Sequence, residues 1–362
     1  MTTLVVAAGG GGDAITGSML AAPLGLSEPP VVMTYSWDRL MIDPVPGPRN
    51  AGDFRGLGQL APHVWEVLAS ATKTAPGLSS LPRLAADLPS RLLLLDPSWG
   101  AVGMAVQVRA AATCFVADDL ALIDVGGDIL TDGADPGLRS PLADQLALAA
   151  CLRTGLPARL VVTAPGIDGE LPVATVLTRL DQLDAHELPS MDSQDLADAR
   201  KVFAWHPSES SGLLAAAAAG RRGRVEVRDA GDQVELTDLT ATLFSVDVTA
   251  ATEVTPARWL VGTRSLGEAD RILREKVGIS ELVYETEKAH RLSNQDARIP
   301  TQSDLLPIDE LARQARDRGA DYVSMRRLAE LLGARTLDTF AALSALLGDE
   351  RPNHYEPSLY RV

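Results

Sequence analysis

The sequence predicts a three-layer α/β protein, with a mainly parallel sheet between layers of helices, extra β-strands and a helical C-terminal region. Strand-like and helix-like runs alternate through the first half of the chain. The strand-like runs are almost continuously apolar, which is typical of parallel strands that are buried on both faces. Residues 4–22 combine an apolar strand, four glycines and a small-residue helix. That combination is the first crossover of a Rossmann-like domain.

The first half of the chain contains five predicted strands and five predicted helices. The strands are expected at residues 4–8, 31–36, 91–95, 120–123 and 160–163. The helices are expected at residues 14–22, 62–71, 101–116, 141–153 and 173–183. Pro141 suits the first position of its helix, because that position needs no N–H donor, and Ser140 is the expected N-cap.

The second half mixes helices with alternating strands. Helices are expected at residues 193–204 and 211–219, and strands at residues 225–228, 234–236 and 243–246. From residue 266 onward the pattern is mostly helical, with breaks at Pro300 and Gly333. The predicted organisation is a Rossmann-like domain at 1–190, an α+β extension at 191–300 packed on the same domain, and a helical segment at 301–362.

Charge and apolar patterning narrow the classes of partner. The net charge of −15 argues against nucleic acid and anionic membrane surfaces, which bind basic faces. No apolar run reaches the roughly 18 residues of a membrane span, and no basic region precedes the first apolar stretch. Cys114 and Cys151 both lie inside predicted helices, which suggests buried thiols in a reducing compartment rather than a disulfide framework. We therefore expect a cytoplasmic protein with a small-molecule partner, and a homo-oligomer stays open.

The glycine-rich loop at residues 9–12 is a candidate nucleotide site. Gly9, Gly11 and Ala14 match the dinucleotide pattern, and Gly10 and Gly12 complete the loop. Glycines permit a tight turn and let backbone N–H groups approach a ligand. In an NAD(P) site, Asp38 after the second strand would bind a ribose hydroxyl.

Two readings compete with an NAD(P) site at this loop. The negative charge of Asp13 at the helix start opposes a pyrophosphate. A tight turn that binds no ligand would also explain the glycines.

Aspartates follow all five predicted parallel strands. They are Asp13, Asp38, Asp96, Asp124 with Asp128, and Asp168. The carboxyl ends of parallel strands meet at one edge of the sheet, so these carboxylates are expected to converge there. Oxygen ligands of this kind suit Mg²⁺ or another divalent cation, and Asp13, Asp124 and Asp128 are the expected metal ligands. Alternatively, Asp124 and Asp128 form an Asx turn with a helix cap.

Further candidate residues flank these strand ends. The expected catalytic residues are Asp128, Asp168, Glu170 and His206. The expected substrate-binding residues are Asp13, Trp37, Arg39, Arg49, Trp99 and Arg139. Carboxyl and imidazole groups serve in acid–base catalysis, arginines bind carboxylate or phosphate, and indoles stack on rings. The alternatives are that the arginines pair with nearby aspartates and that the tryptophans anchor loops.

Several short motifs together resemble the uncharacterised domain-of-unknown-function family numbered 1152. They are GGGGD at 9–13, SWDRL at 36–40, PGPR at 46–49, DVGGDIL at 124–130, SPLAD at 140–144, DGE at 168–170 and HPSE at 206–209. The resemblance runs from about residue 3 to about residue 300. It implies a Rossmann-like α/β protein and assigns no catalytic role to any residue.

These features favour an enzyme, a hydrolase or a transferase, that acts on a small polar metabolite such as a nucleoside or nucleotide. The glycine loop would bind the ligand, and the aspartates would hold a divalent metal or a cationic centre. Two alternatives stay open. One is an NAD(P)-dependent oxidoreductase that uses Gly9, Gly11 and Asp38. The other is a metabolite-binding protein without catalytic activity.

Overall fold

A nine-stranded sheet forms the centre of the computed structural model, which describes residues 2–26, 29–196, 199–228, 231–292 and 297–362. The strands are β1 (Thr3–Ala7), β2 (Val31–Thr34), β3 (Phe54–Arg55), β4 (Gly58–Ala61), β5 (Val64–Glu66), β6 (Thr72–Lys73), β7 (Arg91–Leu94), β8 (Asp119–Val125), β9 (Ala158–Thr163), β10 (His186–Leu188), β11 (Gly223–Val227), β12 (Asp232–Leu236), β13 (Leu243–Asp247), β14 (Tyr322–Ser324), β15 (Tyr355–Glu356) and β16 (Leu359–Arg361).

The helices are α1 (Asp13–Met19), α2 (Leu81–Asp87), α3 (Gly100–Phe115), α4 (Pro141–Thr154), α5 (Val173–Gln182), α6 (Glu209–Ala218), α7 (Val248–Val254), α8 (Ala257–Leu260), α9 (Leu266–Val277), α10 (Glu281–Leu292), α11 (Leu305–Asp317), α12 (Met325–Leu332) and α13 (Leu337–Glu350). Short 3₁₀ turns include Asp128–Leu130 and Val202–Ala204. The α/β fold class predicted from the sequence is confirmed.

The order of strands in the large sheet is β10-β13-β9-β8-β1-β2-β7-β5-β4. The five central strands, from β9 to β7, are parallel, and antiparallel strands flank them on both sides. These five correspond to the five parallel strands predicted from the apolar runs. The chain runs from β1 outward to β2 and β7, then returns to β8 on the other side of β1. The order therefore reverses between β1 and β8, which is the switch point where open α/β sheets bind ligands.

Helices cover both faces of the sheet, as predicted. On one face, Met104 of α3 and Leu146 of α4 pack with Val6 of β1 in a continuous apolar core. On the other face, Ile15 of α1 and Leu213 of α6 pack against the alternate residues of the same strands. Burial on both faces explains why these strands contain almost no polar positions.

A second sheet of five strands joins the middle of the chain to its C-terminal part. Its order is β12-β11-β14-β16-β15, and β11 pairs with β14 in parallel through Val225 and Tyr322. The segments 191–300 and 301–362 therefore share one sheet. The C-terminal helices were predicted, whereas strands β14 to β16 were not. The helices α11 to α13 form their own apolar core around Ile308 and Phe340.

The helix predicted at residues 62–71 is wrong, because this segment forms part of a β-hairpin. Strands β4 and β5 pair in an antiparallel manner around His63, whose φ of +66° lies in the left-handed region. Glu66 of β5 pairs with Leu93 of β7, so the hairpin extends the large sheet. Pairing with an existing strand outweighs a weak helical pattern of this length.

The helix predicted at residues 193–204 is also absent from the described part of the segment, which leaves out residues 197 and 198. Asp192 and Asp195 bond to nearby backbone N–H groups, with a distance of 2.6 Å from Gln194 N to Asp192 Oδ1. Such local bonds compete with helix formation. Only the single 3₁₀ turn at Val202–Ala204 is helical in character.

No helix within the described ranges is by itself long and apolar enough to cross a bilayer. One bent pair of helices, α12 with α13 at 111°, reaches that length and composition when the two are taken together.

Candidate functional site

A cavity lies at the switch point, beyond the carboxyl ends of β1 and β8. The glycine loop follows β1, and a turn through Gly126 and Gly127 follows β8. The innermost part of the cavity, which we call the inner chamber, has a volume of about 60 Å³. Two water molecules occupy about the same volume in the liquid. The cavity is therefore located where the strand order predicts a ligand.

Carboxyl groups dominate the walls of the inner chamber. The acidic residues that line it are Asp13, Asp124, Asp128, Asp144, Asp168, Glu170, Glu281 and Glu285. Arg39 is the basic residue among its lining side chains. The predicted convergence of Asp13, Asp124, Asp128 and Asp168 agrees with this geometry. Asp38 and Asp96, which also follow parallel strands, do not line the chamber.

The glycine loop packs against the protein itself. A Cβ at Gly10 would overlap the carbonyl oxygen of Trp37, and a Cβ at Gly12 would overlap the Ser208 side chain. The Gly9 N–H donates a hydrogen bond to Asp13 Oδ2 at 2.9 Å. The Asp13 carboxylate thus occupies the backbone N–H that a phosphate would need. Helix α1, which follows the loop, has only seven residues. Close internal packing explains Gly9, Gly10 and Gly12, and a left-handed backbone with a φ of +68° explains Gly11.

Asp13 and Asp124 lie at the base of the chamber and are each bonded to a backbone amide. Asp124 Oδ2 accepts a hydrogen bond from Gly127 N at 2.7 Å, which is the Asx-type turn considered for this motif. Burial, opposed by the Gly9 amide, raises the pKa of Asp13 to about 6. Burial, reinforced by the charge of Asp13, raises the pKa of Asp124 well above its ordinary value.

The buried carboxyl groups of Asp128 and Asp168 lie close together in the chamber wall, and Asp168 Oδ1 accepts a hydrogen bond from Glu170 N at 2.7 Å. Burial, and then the proximity of Asp168, raise the pKa of Asp128 well above its ordinary value. Burial and the charge of Glu170 raise the pKa of Asp168 to about 6. Asp128 therefore favours its protonated form more strongly than an exposed aspartate does, whereas proximity to Asp128 counteracts part of the rise in the pKa of Asp168. No N–H or hydroxyl of the described residues reaches Asp168 Oδ2.

Asp144 forms the remaining part of the acidic wall. Its carboxyl is buried and receives no hydrogen bond from the described backbone. Burial, and then the proximity of Asp124, raise the pKa of Asp144 well above its ordinary value. Burial thus favours the protonated form of Asp144 and Asp128, in which a carboxyl can donate a hydrogen bond to a ligand as well as accept one.

The three carboxyl groups predicted as metal ligands line one chamber, but their arrangement does not fit a metal ion. In the described part of the chain no three His, Cys, Asp or Glu side chains are placed to hold one. Asp13 and Asp124 each direct an oxygen to a backbone amide, and Asp128 lies next to Asp168. We therefore assign no role to Mg²⁺ at this site.

Three glutamates connect the chamber walls to each other. Glu170, predicted as a catalytic residue, accepts hydrogen bonds from the backbone N–H groups of Arg139 and Ser140 and from the Ser140 hydroxyl. Glu281 of α10 accepts one from Leu142 N at 2.9 Å. Both carboxylates therefore bind the first turn of α4, where free backbone N–H groups favour negative charge. These bonds make Glu170 a structural residue of the wall.

Helix α10 closes the chamber with two glutamates four residues apart. Glu285 accepts hydrogen bonds from Trp37 Nε1 at 2.9 Å and from Gly47 N at 2.8 Å. Burial, and then the neighbouring Glu285, raise the pKa of Glu281 to about 8. Trp37, predicted as a substrate-binding residue, lines the inner chamber through this contact.

A larger outer chamber, with a volume of about 290 Å³, opens next to the inner one. The two share Arg39, Ser140, Glu170, Glu281 and Glu285 in their walls. Seven basic and four acidic side chains line the outer chamber, so its balance of charge is opposite to that of the inner chamber. Arg39 and Arg139, both predicted to bind substrate, belong to it. Together the chambers approach the lower end of the usual size range of small-molecule sites, about 300 to 1,000 Å³.

Four other predicted site residues lie outside both chambers. Asp38 is buried and accepts hydrogen bonds from the Ser80 amide and hydroxyl, at 2.9 and 2.5 Å. Arg49 is buried in an ion pair with Asp43, so it stabilises its own proline-rich loop. These contacts explain Asp38 and Arg49 as structural residues of the loop region.

Trp99 and His206 also have surroundings that differ from those of a site residue. Trp99 is 68% exposed on the surface. His206 is buried beside Trp205, and its Nδ1 accepts a hydrogen bond from Ser208 N. Burial, and then the charge of Arg83, lower the pKa of His206 to about 3. His206 is thus a neutral structural histidine, and it does not line the cavity.

Sequence reasoning did not single out several of the residues that complete the cavity. They are Asp144, Arg228, Glu281, Glu285, Arg326 and Arg335. Glu281 and Glu285 had a detectable signal, because residues four apart share one face of a helix. The arginines had no such signal, since they reach the cavity from the second sheet and the C-terminal helices.

The fold and the cavity define a class: a Rossmann-like α/β protein with a mixed-charge ligand cavity at the switch point of its sheet. The family model described as "Protein of unknown function (DUF1152)" matches residues 4–289. The chain belongs to this family, which confirms the resemblance drawn from its motifs. No curated protein and no solved structure matches the chain.

Proposed function

We propose that this protein is an enzyme that hydrolyses or transfers a glycosyl-type group of a small polar metabolite at the inner chamber. The observation that carries the proposal is the buried Asp128–Asp168 pair of neighbouring carboxyl groups at the switch point. The pKa of Asp128 is raised well above its ordinary value and that of Asp168 to about 6, which suits one carboxyl to donate a proton and the other to accept one. Such a pair supplies acid and base to the same reaction, as paired carboxyl groups with separated pKa values do.

The charge of the chamber favours one kind of bond cleavage. A wall of carboxyl groups stabilises a reacting carbon that becomes positive and repels a reacting group that becomes more negative. Cleavage of a bond from a sugar carbon to its leaving group develops positive charge at that carbon. Nucleosides, nucleotides and other glycosides undergo this cleavage. The hydroxyl groups of their sugars also match the donors and acceptors of Asp144 and Asp128.

In the proposed step, Asp128 donates its proton to the leaving group while the bond to the sugar carbon breaks. Asp168 accepts a proton from the incoming water or hydroxyl as its oxygen bonds to that carbon. The net result moves one proton from Asp128 to the leaving group and one from the nucleophile to Asp168. Proton exchange within the pair then restores the starting state.

The proposal is tested by following a mixture of nucleosides, nucleotides and sugar phosphates by ¹H NMR in the presence of the protein. We expect new anomeric resonances with the wild type and a loss of about 10² to 10⁴ in rate for Asp128→Asn and Asp168→Asn. Asp181→Asn, at an exposed position of α5, is the matched control and is expected to keep the wild-type rate.

Two results would count against this function. Equal rates for the wild type and both cavity variants would place the chemistry elsewhere. Ligands that raise the melting temperature without being converted would instead support a metabolite-binding protein without catalytic activity.

A further inference from the structure

The outer chamber contains two guanidinium groups that lack acceptors. The guanidinium of Arg39, which follows β2, is accessible to solvent and makes no hydrogen bond or salt bridge with the described residues, although the charges of glutamates and of Asp13 surround it. Arg335, between α12 and α13, has a buried Nη1 without a hydrogen-bond acceptor in the described part of the chain. A buried donor without an acceptor is costly, so Arg335 Nη1 points to a partner that the cavity receives, and the accessible guanidinium of Arg39 lines the same cavity.

Two other arginines of the same chamber differ from this pair. Arg228 bonds to the carbonyl oxygen of Asp168 and lies 3.7 Å from Glu170. Arg326 lies 3.1 Å from Glu330. These two are held by the protein, and they add positive charge to the wall. Of these four arginines, Arg39 and Arg335 are the two whose guanidinium groups a ligand would satisfy.

A phosphate group matches this arrangement. Its several oxygens accept bonds from more than one guanidinium, and the planar fork of arginine suits bidentate bonds to them. The excess of basic side chains favours an anion in the outer chamber, whereas the acidic walls of the inner chamber exclude one. A ligand that fills both chambers therefore has a neutral or cationic end inside and an anionic end outside.

We propose that the outer chamber binds the phosphate of a phosphate monoester through Arg39 and Arg335. The sugar end then lies in the inner chamber, an orientation that rests on the proposed function. The substrate class that follows is a nucleotide or another phosphorylated glycoside, with the phosphate held away from the bond that breaks.

The C-terminal part of the chain supplies much of this phosphate site. The family model ends at residue 289, whereas Arg291, Arg326 and Arg335 lie after it. The inner chamber, in contrast, is lined entirely by residues within the matched segment. The structure thus separates a reaction centre inside that segment from a specificity determinant that the C-terminal helices add.

The experiment is isothermal titration of the full chain with inorganic phosphate at constant ionic strength. We expect wild-type protein to bind phosphate, and Arg39→Gln and Arg335→Gln each to weaken binding by about tenfold or more. Arg335→Lys is expected to recover part of the affinity, because it keeps the charge and loses the fork. Arg274→Gln, on the exposed side of α9, is the matched control and is expected to leave binding unchanged.

Three outcomes would overturn the phosphate site. They are no binding of phosphate to the wild type, a wild-type affinity for phosphate in both Arg39→Gln and Arg335→Gln, and binding of malonate as tight as that of phosphate. Circular dichroism of each variant excludes misfolding as the cause of a loss. Asp168→Asn separates this proposal from the proposed function, because it is expected to bind phosphate at least as well as the wild type while losing turnover. If ribose 5-phosphate binds no more tightly than phosphate, the sugar assignment fails and the phosphate site stands.

Discussion

Replacing Glu281 by glutamine should change how the stability of this protein depends on pH. The Glu281 side chain is 5% exposed, and its carboxylate accepts a hydrogen bond from Leu142 N. Burial, and then the neighbouring Glu285, raise its pKa from 4.5 to about 8. Glutamine keeps an oxygen that can accept the Leu142 bond and cannot ionise. The substitution therefore removes the titration with little change in shape.

The sign and size of the effect follow from linkage. The folded protein holds the Glu281 proton up to a pKa of about 8, whereas the unfolded chain releases it near 4.5. Between these values the native state binds one more proton, so stability falls as the pH rises. One proton corresponds to about 1.4 kcal/mol per pH unit. From about pH 5.5 to about pH 7.5, the glutamine variant should gain about 2 to 3 kcal/mol relative to the wild type.

Urea unfolding followed by tryptophan fluorescence at several pH values measures this difference. Glu187→Gln is the matched control, since Glu187 is exposed on β10 and its surroundings change little on unfolding. We expect the difference between this control and the wild type to stay constant with pH. A constant difference for Glu281→Gln as well would refute the reasoning, because it would mean that Glu281 is already ionised in the folded protein at neutral pH.

Two further predictions concern packing and the buried histidine. Gly10→Ala should reduce the free energy of unfolding by about 1 to 3 kcal/mol, because its Cβ would overlap the Trp37 carbonyl. Gly267→Ala, in open space on α9, should instead raise the free energy of unfolding by about 0.5 to 1 kcal/mol. Urea unfolding compares the two variants, and equal effects would contradict the packing argument. The His206 ring should keep the NMR shifts of its neutral form down to about pH 5, because its pKa is lowered to about 3. The His206→Gln variant identifies the signal of this ring. A titration midpoint near pH 6.5 would show that the ring is solvated. Its contribution to stability declines as the pH falls below about 6.5, opposite in direction to that of Glu281.

The parallel core of the fold could be predicted from sequence because its signal is local. Each central strand has a continuous apolar stretch, and a helix or loop follows it, so pattern and structure agree for β1, β2, β7, β8 and β9. The hairpin of β4 and β5 and the strands β14 to β16 had weaker signals. They are only two to four residues long and are stabilised by pairing with distant strands. Pairing of that kind depends on tertiary context, which no short window contains.

The candidate site was predictable to the extent that strand ends define it. Asp13, Asp124, Asp128 and Asp168 follow parallel strands, and they do line one chamber. Asp38 occupies an equivalent place in sequence, yet its carboxylate turns to Ser80. The choice between a site residue and a structural contact depends on which amide lies nearby. That information belongs to the neighbouring loop and is absent from the strand itself.

The free-energy cost of burying carboxyl groups in the inner chamber is compensated by hydrogen bonds for some residues and not for others. The residues without such compensation mark the functional part of the chamber. Asp13 and Asp124 each bind a backbone amide, and Glu281 and Glu285 hold α4 and the loop of Trp37, so folding accounts for them. Asp128 has no such bond among the described residues, and Asp168, which accepts one from Glu170 N at Oδ1, has none at Oδ2.

A buried pair of carboxyl groups that shares a proton destabilises the fold unless something else selects it. Proteins retain such local costs mainly where chemistry needs them. The Asp128–Asp168 pair is therefore the place where loss of turnover should be accompanied by a gain in stability. Asp128→Asn and Asp168→Asn are expected to unfold at higher urea concentrations than the wild type at about pH 8. A purely structural pair would show the reverse.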